Sequence, residues 1–178
     1  MKRSSDRFIR LFRRRAIIGL YVVVVSGVAG QTIGAGCSDD ASFWTPMKQV
    51  WVEFSAEEEK PLVFAAWVAK TPEQRGRGFQ GVCPGLVTER SLLFVFPAPV
   101  KANFHMSGVA LPLDIVFIDV FRQVINIQRM ALQESDRSTT YYRSDTVFQF
   151  ALETAAERLD QLRRNPRLWR MRVSNRNQ

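Results

Sequence analysis

No charged side chain occurs between Arg15 and Asp39. The uncharged stretch, Ala16 to Ser38, follows a head that carries Lys2, Arg3, Arg7, Arg10, Arg13, Arg14 and Arg15 against one acid, Asp6. A basic head, an apolar run and an exit of small residues form the pattern of a secretory signal. The run is also long enough to cross a bilayer uncleaved. A buried core helix does not suit that flank. Residues 1–36 are therefore set aside as a signal peptide or membrane anchor. A globular domain must be built from what remains. The arginines hold the N-terminal end in the cytoplasm, so the domain is expected outside it, on the periplasmic face of a Gram-negative cell.

The leader ends in Ile33-Gly34-Ala35-Gly36-Cys37. This is similar to a bacterial lipoprotein box, in which the cysteine becomes the lipidated first residue, although Gly34 stands where such boxes carry leucine. Three fates are open: lipidation at Cys37, an uncleaved anchor, or cleavage to a soluble protein. Only Cys37 and Cys83 are present. Lipidation would consume the Cys37 sulfur and leave Cys83 as a lone thiol, and a Cys37–Cys83 disulfide requires Cys37 to be unmodified.

The net charge of +8 suggests nucleic acid until its distribution is read. The leader holds most of it. Residues 37–178 carry 18 basic and 16 acidic side chains, and seven of those basic residues are arginines of the last 22 positions. A nucleic-acid domain concentrates charge on a face with aromatic or helical readers. Here the charge lies at the two ends, so nucleic acid is not expected as a partner. The expected partners are the membrane, through the anchor or lipid, and an envelope protein or anionic ligand.

After a linker at 37–48, the chain reads as one domain, 49–173, with a tail at 174–178. Gln49–Phe54, Leu62–Ala69, Ser91–Phe96, Asp114–Val120, Val124–Gln128, Thr146–Glu153 and Leu168–Val173 are apolar or alternating runs of strand length. Pro97-Ala98-Pro99 is expected to stop the third, and Phe121 to Gln123 to turn a hairpin although the usual Gly or Asn is missing. Thr71, Pro72 and Gln74 form a helix start with a capping box, limited to about two turns by Gly76 and Gly78. Gly81 to Arg90 reads as a loop, and Thr154 to Arg164 as an amphipathic helix. Short strands interrupted by two helices predict an α+β domain on a mostly antiparallel sheet.

Five segments in order carry a family resemblance: Ala69 to Phe79 (A-x-T-P-E-Q-R-x-R-G-F), Leu92 to Pro97 (L-L-F-V-F-P), Phe104 to Met106 (F-x-M), Pro112 to Asp119 (P-L-D-I-V-F-I-D) and Ala151 to Glu153 (A-L-E). Together they resemble the Domain of Unknown Function 192 family, prokaryotic proteins that are often exported. The resemblance implies a compact, barrel-like antiparallel sheet with short helices and supplies no reaction. The chain departs from the family after Phe104, where Trp-Met-Lys-Asn-Thr is usual and His105-Met106-Ser107-Gly108-Val109 stands here. It departs again at Ser91-Leu92-Leu93-Phe94, and at the closing turn.

Four residues are the candidates for binding: Arg75, Arg77, His105 and Asp114. His105, the only histidine, suits proton transfer near neutral pH. Asp114 enters an apolar strand, where a carboxylate needs amides or an arginine to receive it. It reads either as a turn-fixing acid or as a pocket carboxylate partnered by Arg75 or Arg77, which would then form an anion-binding rim. Asp119 is expected to cap the hairpin. A Cys83–His105 nucleophile pair is allowed by composition but has no local signature. One histidine and the absence of HxxxH or CxxC spacing argue against a metal site, and no cofactor is expected. The expected function is a membrane-tethered binding or accessory module of the cell envelope. The alternative is a hydrolase-type enzyme built on His105, Asp114 and Arg77.

Overall fold

The computed structural model describes residues 37–38, 41–134 and 138–175. These belong to the second of two compact units, 34–178, and the leader expected at 1–36 lies outside the described residues. Among the described residues no helix is long and apolar enough to cross a membrane.

Seven strands form one sheet: β1 (Gln49–Ser55), β2 (Leu62–Ala69), β3 (Ser91–Val100), β4 (Leu113–Ile118), β5 (Val124–Met130), β6 (Phe148–Ala155) and β7 (Arg170–Asn175). Their spatial order is β5-β4-β6-β3-β2-β1-β7. All neighbours are antiparallel except β2 and β3, which run parallel across the connection that carries the first two helices. The sheet curls into a half-barrel. At one end its edges meet: Val124 N–H donates to Trp169 O at 3.1 Å, and Met171 N–H to Arg122 O at 2.8 Å.

Strand alternation gives the sheet two buried faces. On β4, Leu113, Ile115 and Phe117 join one core with Trp67, Phe79, Leu92, Phe94, Phe104 and Ala151. Val116 and Ile118 join the other, with Val52, Phe54, Leu93, Leu152, Leu159 and Trp169. Every residue of β4 is buried, which explains why its sequence reads as a nearly continuous apolar run.

Three short helices complete the domain: α1 (Pro72–Arg77), α2 (Pro84–Glu89) and α3 (Asp160–Arg163). The capping box at α1 forms as expected: Gln74 N–H donates to Thr71 Oγ1 at 3.2 Å and Thr71 N–H to Gln74 Oε1 at 3.1 Å. Gly78 then turns the chain at φ +52°, a region that disfavours residues with a Cβ. The hairpin also forms. Asp119 Oδ1 accepts from Phe121 N–H at 2.9 Å and Gln123 N–H at 2.8 Å. Arg122 takes φ +70°, the conformation that Gly or Asn usually fills.

Four expectations are corrected. The segment Gly81 to Arg90, read as a loop, contains α2, because Pro84 fits the first helical position and Val87 is buried beneath it. Thr154 does not open a helix: Thr154 and Ala155 pair with Asp114 and Leu113 of β4, and strand pairing outweighs the helical pattern. Only Asp160–Arg163 remains helical, after a turn with Glu157 at φ +75°. The prolines at 97 and 99 do not stop β3. They occupy a bulge between the pairs Val95–Phe150 and Val100–Phe148, where proline's missing N–H removes no ladder bond. Residues 41–47, read as linker, pack into the domain: Trp44 and Met47 are buried, with the Trp44 ring stacked 4.7 Å from Trp67.

The two cysteines are joined in a Cys37–Cys83 disulfide. One sulfur cannot hold both this crosslink and the lipid thioether that was one of three fates open to Cys37. The bond also removes Cys83 as a partner for His105.

Candidate functional site

A cleft of about 230 Å³ opens between α1, β3, β6 and the segment that follows β3. Phe79, Phe94, Phe96 and Phe104 give it aromatic walls, and Arg75, Arg77, Gln80, Asn103, His105 and Glu153 supply its polar groups. The local sequence positions each one. The capped turn of α1 carries Arg75 and Arg77 past the cleft mouth. The extended bridge between Phe104 and Tyr142 fixes the backbone beside His105, with Phe104 N–H donating to Tyr142 O at 2.8 Å. The alternation of β6 turns Glu153 to the same face as Ala151 and the aromatic core.

Glu153 is the unusual group. Its side chain is buried, with the residue 5% exposed, and among the described residues nothing hydrogen-bonds its carboxyl. Burial alone pushes the carboxyl up from 4.5 to about 8, so it holds its proton at neutral pH. A lone carboxyl against aromatic walls cannot ionise cheaply, because nothing there replaces the lost water. The turn at Gly78 passes close by: a Cβ there would sit 3.8 Å from both Glu153 Oε2 and Phe94.

The two arginines are held by their stems and rings. The Arg75 guanidinium donates to the carbonyls of Lys70 and Val95, the latter at 3.1 Å, and lies 4.8 Å from the Phe96 ring centre. Arg77 is exposed and stacks 4.3 Å over Phe43. Neither forms an ion pair among the described residues; Glu73 of the same helix has its carboxyl lowered chiefly by a backbone hydrogen bond and by Thr71, with the charge of Arg75 adding least. His105 is half-buried. Its Nδ1 accepts from Ser107 N–H at 3.3 Å, and its ring stands edge-on to that of Tyr141.

Three of the four sequence candidates thus meet in one place: Arg75, Arg77 and His105. Asp114 does not join them. Its position on β4, one residue before Ile115, turns it to the opposite face of the sheet, beside α3. There it is fully buried, receiving Arg129 Nε at 3.0 Å and Arg163 Nη2, while both arginines also reach Asp160 at 2.8 and 3.2 Å. The His105–Asp114–Arg77 constellation of the hydrolase alternative is not formed, and Asp114 is the hub of a structural ion cluster. Its place in the cleft is taken by Glu153. The available signal was an acid at the end of Ala151-Leu152-Glu153, inside an apolar strand run. Among the described residues no group of three or more His, Cys, Asp or Glu side chains is placed to hold a metal ion.

Two solved structures share this fold. A protein from Sinorhizobium meliloti 1021, provisionally assigned as a transcription regulator, superposes with a TM-score of 0.62 at 20% identity, over 71% of this chain and 95% of that one. A protein of unknown function from Novosphingobium aromaticivorans DSM 12444 superposes with a TM-score of 0.58 at 22% identity, over 70% and 84%. At such identities the likeness shows the fold alone. No curated protein matches the chain. The sequence pattern of the DUF192 family, described as Uncharacterized ACR, matches residues 53–166, from β1 to the end of the α3 region. That span is more than half of the chain and takes in the whole cleft; the chain belongs to the DUF192 family.

Proposed function

We propose that this protein is a membrane-tethered, extracytoplasmic domain of the cell envelope that works by binding a small ligand in the α1 cleft. The observation that carries the reading is Glu153: a largely buried carboxyl that no group among the described residues hydrogen-bonds, facing an aromatic cleft with two arginines at its mouth. A few polar groups converging in a mostly apolar cleft are what orient a bound molecule, and Glu153 is the carboxyl among them. Among the described residues the cleft lining offers a single carboxyl and no Ser, Thr or Cys hydroxyl or thiol, which favours binding over the hydrolase alternative.

Two features support the location. The arginine-rich head and the uncharged run from Ala16 to Ser38 suit export. Disulfides persist in oxidising compartments, and a Cys37–Cys83 bond accords with that side of the membrane. Because that bond occupies Cys37, the tether we favour is the apolar segment retained uncleaved, not a lipid.

Spheroplasts from cells producing the chain test both parts. Added protease should digest the domain without lysis. Mass spectrometry of the membrane fraction should find residue 1 on the chain and both cysteines resistant to alkylation until reduced. Native mass spectrometry of the same preparation should show a small adduct that Glu153→Ala abolishes. A full-length chain free in the cytosol with two reactive thiols refutes the location, and a bare domain insensitive to Glu153 refutes the binding role.

A further inference from the structure

The charges around the cleft restrict what it can take. Its titratable lining consists of Arg75 and Arg77 from α1, His105 from the segment after β3, and Glu153 from β6; neither β3 nor β4 adds a charged side chain. With two guanidiniums and with Glu153 carrying its proton, the cleft is cationic at neutral pH. A basic amine would meet the two guanidiniums first. An anion is drawn in instead.

Arg77 is the available donor. Its guanidinium carbon lies 4.3 Å over the Phe43 ring centre and the group makes no hydrogen bond among the described residues, leaving its planar fork of N–H groups open. That fork matches a carboxylate. Below it, Phe79, Phe94, Phe96 and Phe104 line a volume of about 230 Å³. This is room for roughly seven or eight waters at about 30 Å³ each, enough for a single ring or a short branched chain.

Resting on the binding role proposed above, we infer that the cleft takes a small monocarboxylate with a flat apolar body: Arg77 clasps the carboxylate, the aromatic walls cover the body, and Glu153 lies against it. An ionised Glu153 would place a second negative charge in the same water-poor space. Binding is therefore coupled to the Glu153 proton. Affinity for the carboxylate should be flat below about pH 8 and fall by up to about tenfold per unit above it, as the proton leaves.

The test uses the full chain in lipid nanodiscs and three probes of one shape: benzoate, benzamide and benzylamine. Binding is followed by ligand-observed NMR between pH 6 and pH 10. Benzoate should bind best, with an affinity that falls above pH 8. Glu153→Gln should make the benzoate profile flat. Arg77→Gln, on an exposed helix position that will not unfold the domain, should weaken benzoate about tenfold and leave benzamide unchanged. If benzamide or benzylamine binds and benzoate does not, or if benzoate binding ignores both pH and Arg77, the carboxylate assignment is overturned while the cleft remains a binding site. If none of the three binds and neither substitution changes any signal, the assignment and the binding role fail together.

Discussion

Replacing Glu153 by glutamine isolates the cost of burying its carboxyl. The native carboxyl titrates near 8 and the unfolded one at the ordinary value of 4.5. Below pH 4.5 both states carry the proton and nothing is lost. Between 4.5 and 8 the unfolded chain releases a proton that the folded chain keeps, so the unfolded state is favoured as pH rises. The slope is about 1.4 kcal/mol per unit, giving a loss of about 3 kcal/mol at pH 7 and about 5 kcal/mol above pH 8, where it levels off. Glutamine has the same shape and no proton to lose. Thermal unfolding of both forms at pH 5 and at pH 8 should therefore show nearly equal midpoints at pH 5. By pH 8 the glutamine form should lead by roughly 10 °C, at about 3 °C per kcal/mol for a domain of this size. Other titrating groups cancel in the comparison. A constant difference at both pH values refutes the raised carboxyl. A lead for glutamate that grows with pH would mean an ionised side chain paired with Arg75 or Arg77, and would overturn the account of the cleft.

Three further outcomes follow from other parts of the domain. Asp114→Asn leaves the Arg129 and Arg163 guanidiniums without their buried partner and should cost about 3 kcal/mol in urea unfolding, with no change in ligand binding at the cleft on the other face. Cys83→Ser opens a crosslink that spans 46 positions, a loss of up to about 4 kcal/mol; reductant should lower the wild-type midpoint toward the variant's and leave the variant where it is. Ser91 Oγ is buried at the start of β3 without a hydrogen-bond partner among the described residues, so Ser91→Ala should raise stability by about 1 kcal/mol, and a loss of that size would show that the hydroxyl is satisfied.

Local chemistry made much of this fold legible. The Thr71–Gln74 box, the Asp119 turn and the apolar run of β4 each act over a few residues, and their physics is complete within that span. Misreadings arose where a partner distant in sequence decided the outcome. Thr154 and Ala155 look helical until β4 offers them a ladder. Pro97 and Pro99 look like a stop until a bulge on the central sheet absorbs them. Trp44 looks like linker until it stacks on Trp67.

The candidate site divides in the same way. By itself the sequence singled out Arg75, Arg77 and His105 but not Glu153, and it showed a basic N-terminal stretch ahead of residues 37–178 of nearly balanced charge, because composition and short-range spacing need no neighbours. It also placed the chain in its family through five ordered motifs. Only the tertiary structure decided which of those residues meet. Alternation along β4 and β6 sends Asp114 to one face of the sheet and Glu153 to the other, and sheet pairing, set by contacts between remote strands, chooses which face holds the cleft. Two acids in similar apolar runs thus take opposite roles, one neutralised by arginines and one left protonated against aromatic walls.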